Sequence, residues 1–132
     1  MMARTLHTRY CRVSCDMEYN MIEKALIAAS SKPIILSILM AGEDYGYRII
    51  QRVKEISGGQ LEWSDKMLYP VLHRLEKEGT LQSDWRMSDE GRLRRYYGIT
   101  ERGYQELESA RRQWHTVNNA LQMLWKPLPS LD

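Results

Sequence analysis

The residues best suited to do chemistry lie between Ser64 and Arg95, and the chemistry they suit is anion recognition. Lys66, Tyr69, His73 and Lys77 recur at steps of three and four, so on a helix they share one side. Ammonium, phenol and imidazole groups in a row can bond phosphate oxygens and base edges. The other side carries Met67, Leu68, Val71, Leu72 and Leu75, an apolar stripe that faces a core. Ser64 is a fitting N-cap, with Asp65 favourable in the positive first turn. Gly79 closes the helix. The period then falls to two. Leu81, Ser83 and Trp85 alternate with Gln82, Asp84 and Arg86, a turn spans Met87 to Gly91, and Leu93 to Ile99 alternate again. On the return strand Arg92 and Arg94 are predicted to share a face as a clamp on phosphates, with Arg95 on the other. Such a helix followed by such a hairpin reads as a winged helix. That unit sets the helix in the DNA major groove and the hairpin on the backbone beside it.

The flanking elements must position these groups. Met21, Ile22, Ala25, Leu26 and Ala29 have helical spacing. Ser30 and Ser31 before Pro33 predict one helix that is broken or kinked there and continues to Gly42. Asp44 is the predicted cap of the next helix, with Tyr47, Ile50, Val53 and Ile56 inward and Gly58-Gly59 as its stop. Tyr47, near that helix's start, is either a phosphate ligand or a core residue. Thr100 caps a long last helix that ends before Pro127 and spans roughly 40 Å. Its apolar residues Leu107, Ala110, Trp114, Val117, Leu121 and Leu124 step by 3, 4, 3, 4 and 3, a heptad seam that predicts a homodimer. Of the remaining aromatics, Tyr96 and Tyr97 point to opposite faces, and Trp63 and Trp85 are expected to pack the base of the wing.

The chain has 132 residues and a formal net charge of +2. That is one domain, mildly basic, so nucleic-acid binding must rest on a local patch. No apolar run reaches the roughly 20 residues of a membrane helix, and the basic first residues lack the apolar core of a secretion signal, which predicts a cytoplasmic protein. His7, Cys11 and Cys15 are one ligand short of tetrahedral zinc, so no metal or other cofactor is expected. There is no phosphate loop, nucleophile elbow or histidine–carboxylate set, which argues against an enzyme. The organisation read from the sequence is a leader (1–18), a winged-helix domain (19–100), a dimerisation helix (101–126) and a tail (127–132). The fold class is mainly α (α+β), a winged helix-turn-helix with a long C-terminal dimerisation helix.

Three segments carry a family resemblance. They are Tyr45-Gly46-Tyr47-Arg48-Ile49, the run Leu68 to Gly79 (LYPVLHRLEKEG) and the run Gly91 to Thr100 (GRLRRYYGIT). In this order and spacing they resemble the PadR family of bacterial transcriptional regulators. The single last helix is similar to the short subfamily, which includes multidrug-responsive repressors. The resemblance implies a homodimer on a pseudo-palindromic double-stranded DNA operator. It also implies a small planar aromatic effector at the dimer centre, beside Trp114 with Val117 and Leu121. Indole stacks on planar ligands, and its face attracts cations. This chain departs from the family's usual pattern at Tyr45, Met67 and Thr80. The competing reading is a winged-helix protein–protein adaptor that binds no DNA.

Overall fold

The computed structural model describes residues 22–126. The elements run α1 (Lys24–Met40), β1 (Asp44–Tyr45), α2 (Gly46–Ile56), α3 (Asp65–Lys77), β2 (Leu81–Met87), β3 (Leu93–Ile99) and α4 (Glu101–Trp125). The strands form an antiparallel sheet in the order β1-β3-β2. The fold is thus α+β, a winged helix with a long C-terminal helix. The hairpin register pairs Leu81 with Ile99 at its base and Met87 with Leu93 at its end. The turn between them closes on Ser88, whose backbone bonds Arg92 and whose hydroxyl accepts the Arg92 N–H.

The core lies where α1, α2, α3 and the base of the wing converge. Ile35, Leu36 and Leu39 of α1 meet Ile49 and Val53 of α2, Leu68, Leu72 and Leu75 of α3, and Leu81 and Tyr97 of the sheet. Helix ends follow local chemistry. The Ser64 hydroxyl accepts the Met67 N–H at 3.2 Å, capping α3. Gly79 ends that helix at φ +87°, which frees the Thr80 N–H to reach the Leu75 carbonyl at 3.0 Å. The Thr80 hydroxyl, buried, donates to the same carbonyl. Thr100 caps α4 by accepting the Gly103 N–H.

Four expectations need correction. The first helix does not break at Pro33, which lies inside α1. The Ser30 and Ser31 hydroxyls do not cap a new helix but turn back on the Leu26 and Ala28 carbonyls. Asp44 does not cap α2. It pairs with Tyr97 in β1, and its carboxylate accepts the Tyr45 N–H. The buried side of α2 is Gly46, Ile49 and Val53, with Tyr47 and Ile56 outside, because repeated steps of three drift round a helix whereas steps of three and four stay on one face. Finally, Leu107 is 2% exposed. It belongs to the chain's own core, since the root of α4 packs on α1 and the wing, and it is not part of a free seam.

Candidate nucleic-acid interface

Between α2, α3 and the wing lies an open groove of about 750 Å³. The N-terminus of α2 brings Gly46 and Tyr47 to it, α3 brings Tyr69 and His73, and the wing brings Trp85, Arg92, Leu93 and Arg95. Tyr47, Tyr69 and His73 are exposed there, so their polar tips are free to meet a ligand. Gly46 is essential to this closeness. A Cβ at that position would lie 2.5 Å from the Tyr69 hydroxyl oxygen.

Five of the eight candidate DNA-binding residues thus come together, namely Tyr47, Tyr69, His73, Arg92 and Arg94. Lys66 and Lys77 are exposed near the two ends of α3 but do not line the groove, and the Ser64 hydroxyl is engaged as a cap. The two wing arginines differ from the expected matched pair. Arg94 stacks 4.2 Å above the Tyr45 ring and bonds Glu90 at 3.2 Å, so its charge is already partnered. Arg92 precedes the strand, is exposed, and makes no ion pair among the described residues. Tyr97 is buried and Tyr96 packs edge-on against Tyr45, as alternation requires. Trp63 is buried, but Trp85 does not pack the wing's base. It stands 60% exposed with the Arg95 guanidinium 5.8 Å from its ring.

A cluster that the spacing did not reveal fixes the wing to α3. Glu76 accepts from the Ser83 hydroxyl at 2.8 Å and from Arg95 at 3.2 Å, while Arg95 also donates to Ser83 at 2.8 Å. Burial pushes the Tyr97 phenol up from its usual range, and the nearby Arg95 charge only partly opposes that. Side-chain spacing alone does not mark Gly46, Trp85 or Arg95 as site residues. A signal for Gly46 was present in the Tyr45-Gly46-Tyr47 motif, and for Trp85 in its period-two face.

A second groove, of about 400 Å³, shares no lining residue with the first. Pro33, Ile34 and Ile38 of α1, Arg52 and Ile56 of α2, and Trp114 of α4 line it. Its charged lining residue is Arg52, so the site does not favour the cationic guest that indole alone would attract. Val117 and Leu121 continue the Trp114 stripe along α4 but do not line this groove. Among the described residues no group of three or more His, Cys, Asp or Glu side chains could hold a metal, and no helix is long and apolar enough to cross a membrane. The His7, Cys11 and Cys15 set lies outside the described residues.

Comparison with known proteins agrees with this geometry. Residues 35–109 match the model of the transcriptional regulator PadR-like family. An uncharacterised protein of Lysinibacillus sphaericus is 26% identical over 108 residues, 82% of this chain and 99% of that one. A PadR-like transcriptional regulator from Bacillus cereus superposes with a TM-score of 0.71 at 26% identity, covering 80% of this chain and all of that one. A transcriptional regulator from Clostridium thermocellum gives a TM-score of 0.70 at 27% identity, covering 78% of this chain and all of that one. With the family model spanning more than half of the sequence and the winged-helix groove in place, the chain belongs to the PadR-like family of transcriptional regulators.

Proposed function

We propose that the protein is a cytoplasmic homodimeric repressor that binds a pseudo-palindromic operator and is released by a small planar aromatic effector. In this reading α3 enters the major groove and presents Tyr69 and His73 to base edges, while Tyr47, Lys66 and Lys77 approach phosphates. The wing lies against the adjoining backbone with Arg92 as its free cation. The observation that carries the reading is the exposed, donor-rich groove that α2, α3 and the wing share.

Dimerisation is supported by the outer half of α4. Trp114, Val117, Met123, Leu124 and Trp125 are exposed, and Ala110 and Leu121 are only partly covered. A stripe of this kind on a helix that outruns its own domain fits a second copy. The groove beside Trp114 supports an effector site of stacking type. With Arg52 in its wall, a neutral or anionic ring suits it better than a cation. An effector acts on DNA only by preferring one dimer geometry over another.

The test is fluorescence anisotropy with a duplex from the promoter beside the protein's own gene, against random duplex. The expected result is preferential binding whose affinity falls linearly in log–log form with salt. Equal affinity for both duplexes at all salt concentrations contradicts the proposal and favours the adaptor.

A further inference from the structure

We propose that the wing carries an apolar wedge, the cross-strand pair Met87–Leu93 backed by Trp85, that enters the DNA minor groove and unstacks a base step. The inference rests on the DNA-binding reading above and adds a deformation to it.

The wing ends in three large apolar side chains that stand mostly exposed. Trp85, Met87 and Leu93 are 60%, 66% and 61% exposed. The register sets Met87 opposite Leu93 and Trp85 opposite Arg95, so all three lie on one face of the hairpin. Trp85 and Leu93 line the groove that Tyr69 and His73 also line. Trp85 and Leu93 therefore share a groove with α3, and Met87 extends their face toward the end of the wing. Clustered exposed apolar groups mark an interface.

The charges around the patch indicate its partner. Of the neighbouring cations, Arg94 stacks on Tyr45 and bonds Glu90, and Arg86 stacks on Tyr96 and pairs with Asp84 and Glu43. These arginines hold the wing stiff and are not available to phosphates. Arg92, which precedes the strand and lines the same groove as Leu93, has no such partner among the described residues. A free arginine beside Met and Leu is the pairing by which minor-groove proteins kink DNA, the cation seeking the groove's negative potential and the apolar groups entering between bases. The turn itself carries Asp89 and Glu90. Glu90 is neutralised by Arg94, and Asp89 lies beyond the last paired residues, so the wing meets DNA by its face and not by its apex. It follows that the operator bends where the wing lands. A flexible pyrimidine–purine step should occupy that position.

The experiment uses the full chain and an operator selected from a random duplex library, with 2-aminopurine replacing adenine at successive positions of one half-site. Unstacking brightens 2-aminopurine. The parent should raise the fluorescence at one step flanking the major-groove contacts. Met87→Ser combined with Leu93→Ser should abolish that rise and straighten the DNA, read as energy transfer between end labels. The salt slope of binding should stay unchanged, because no phosphate contact is lost. Both side chains are exposed, so the variant folds, which circular dichroism checks. Tight operator binding by the parent with no rise at any position overturns the wedge and leaves DNA binding intact. An equal rise in parent and variant overturns it too. Failure of the library to yield any preferred duplex overturns both readings.

Discussion

Gly46 sets where the phenol of Tyr69 can stand. A methyl group at position 46 would meet the far end of an exposed side chain, its Cζ at 2.8 Å, so the ring would swing and the helices would stay. Gly46→Ala should therefore leave the melting temperature nearly unchanged while lowering operator affinity and sparing random-duplex affinity, both read by anisotropy. Gly103 is the opposite case. A Cβ there would lie 2.3 Å from the Thr80 carbonyl oxygen and 2.6 Å from Ile99, and backbone cannot swing away. Gly103→Ala should destabilise the fold by about 1–3 kcal/mol, as overpacking does, seen in urea titration. The same contrast separates two leucines of one heptad stripe. Leu107→Ala should cost about 2–5 kcal/mol of stability because its side chain is fully packed. Leu124→Ala, 78% exposed in the single chain, should instead weaken the dimer.

Among the elements, α1 ties α3 to the last helix through Lys32. Its ammonium bonds Glu78 at the end of α3 at 3.3 Å, and Glu106 on α4 more closely. Desolvation alone would lower the Lys32 pKa, but the bonds from Glu106 and Glu78 outweigh it and raise the value above its usual 10.5. Hydrogen bonds from Lys32 and then Arg102 hold Glu106 below its usual 4.5. The Glu106 contribution is therefore full above the ordinary glutamate range and lost as pH falls through the lowered folded value. The Lys32 contribution is full at neutral pH and lost only as pH rises through the raised value. These groups are part-exposed, so the clamp is worth about 1 kcal/mol or less, and salt weakens it. Glu106→Gln should flatten the acid limb of a melting-temperature profile relative to the parent. The wing, α3 and α4 were legible in the sequence because apolar spacing, Ser64, Thr100 and Gly79 all gave the same boundaries. β1 was not, since two residues are too short to show alternation and exist as a strand only by pairing with Tyr96 and Tyr97. The unbroken α1 was missed because packing of Ile35, Leu36 and Leu39 outweighs the local cost of Pro33. Of the site, the helix face was readable from spacing. Which wing arginine stays free was not, because Glu90, Tyr45 and Glu76 decide that through contacts only the fold creates.

At the scale of the whole molecule, the proposed dimer would pair the exposed outer half of α4 with its copy and set two donor-rich grooves on two half-sites. Light scattering at micromolar concentration should give twice the 15.6 kDa chain mass. Calorimetry with a planar aromatic acid should show binding that Trp114→Ala weakens, by about 0.5–1.5 kcal/mol from lost stacking beyond area effects. Operator binding without effector should survive that change, since Trp114 lines a groove separate from the candidate DNA interface. The central claim is that a dimer places one α3 in each of two major grooves. Hydroxyl-radical footprinting of the selected operator tests it most directly. The account predicts two protected half-sites in inverted orientation, about 10 base pairs apart or a multiple of that spacing. A single protected block without two-fold symmetry would contradict it.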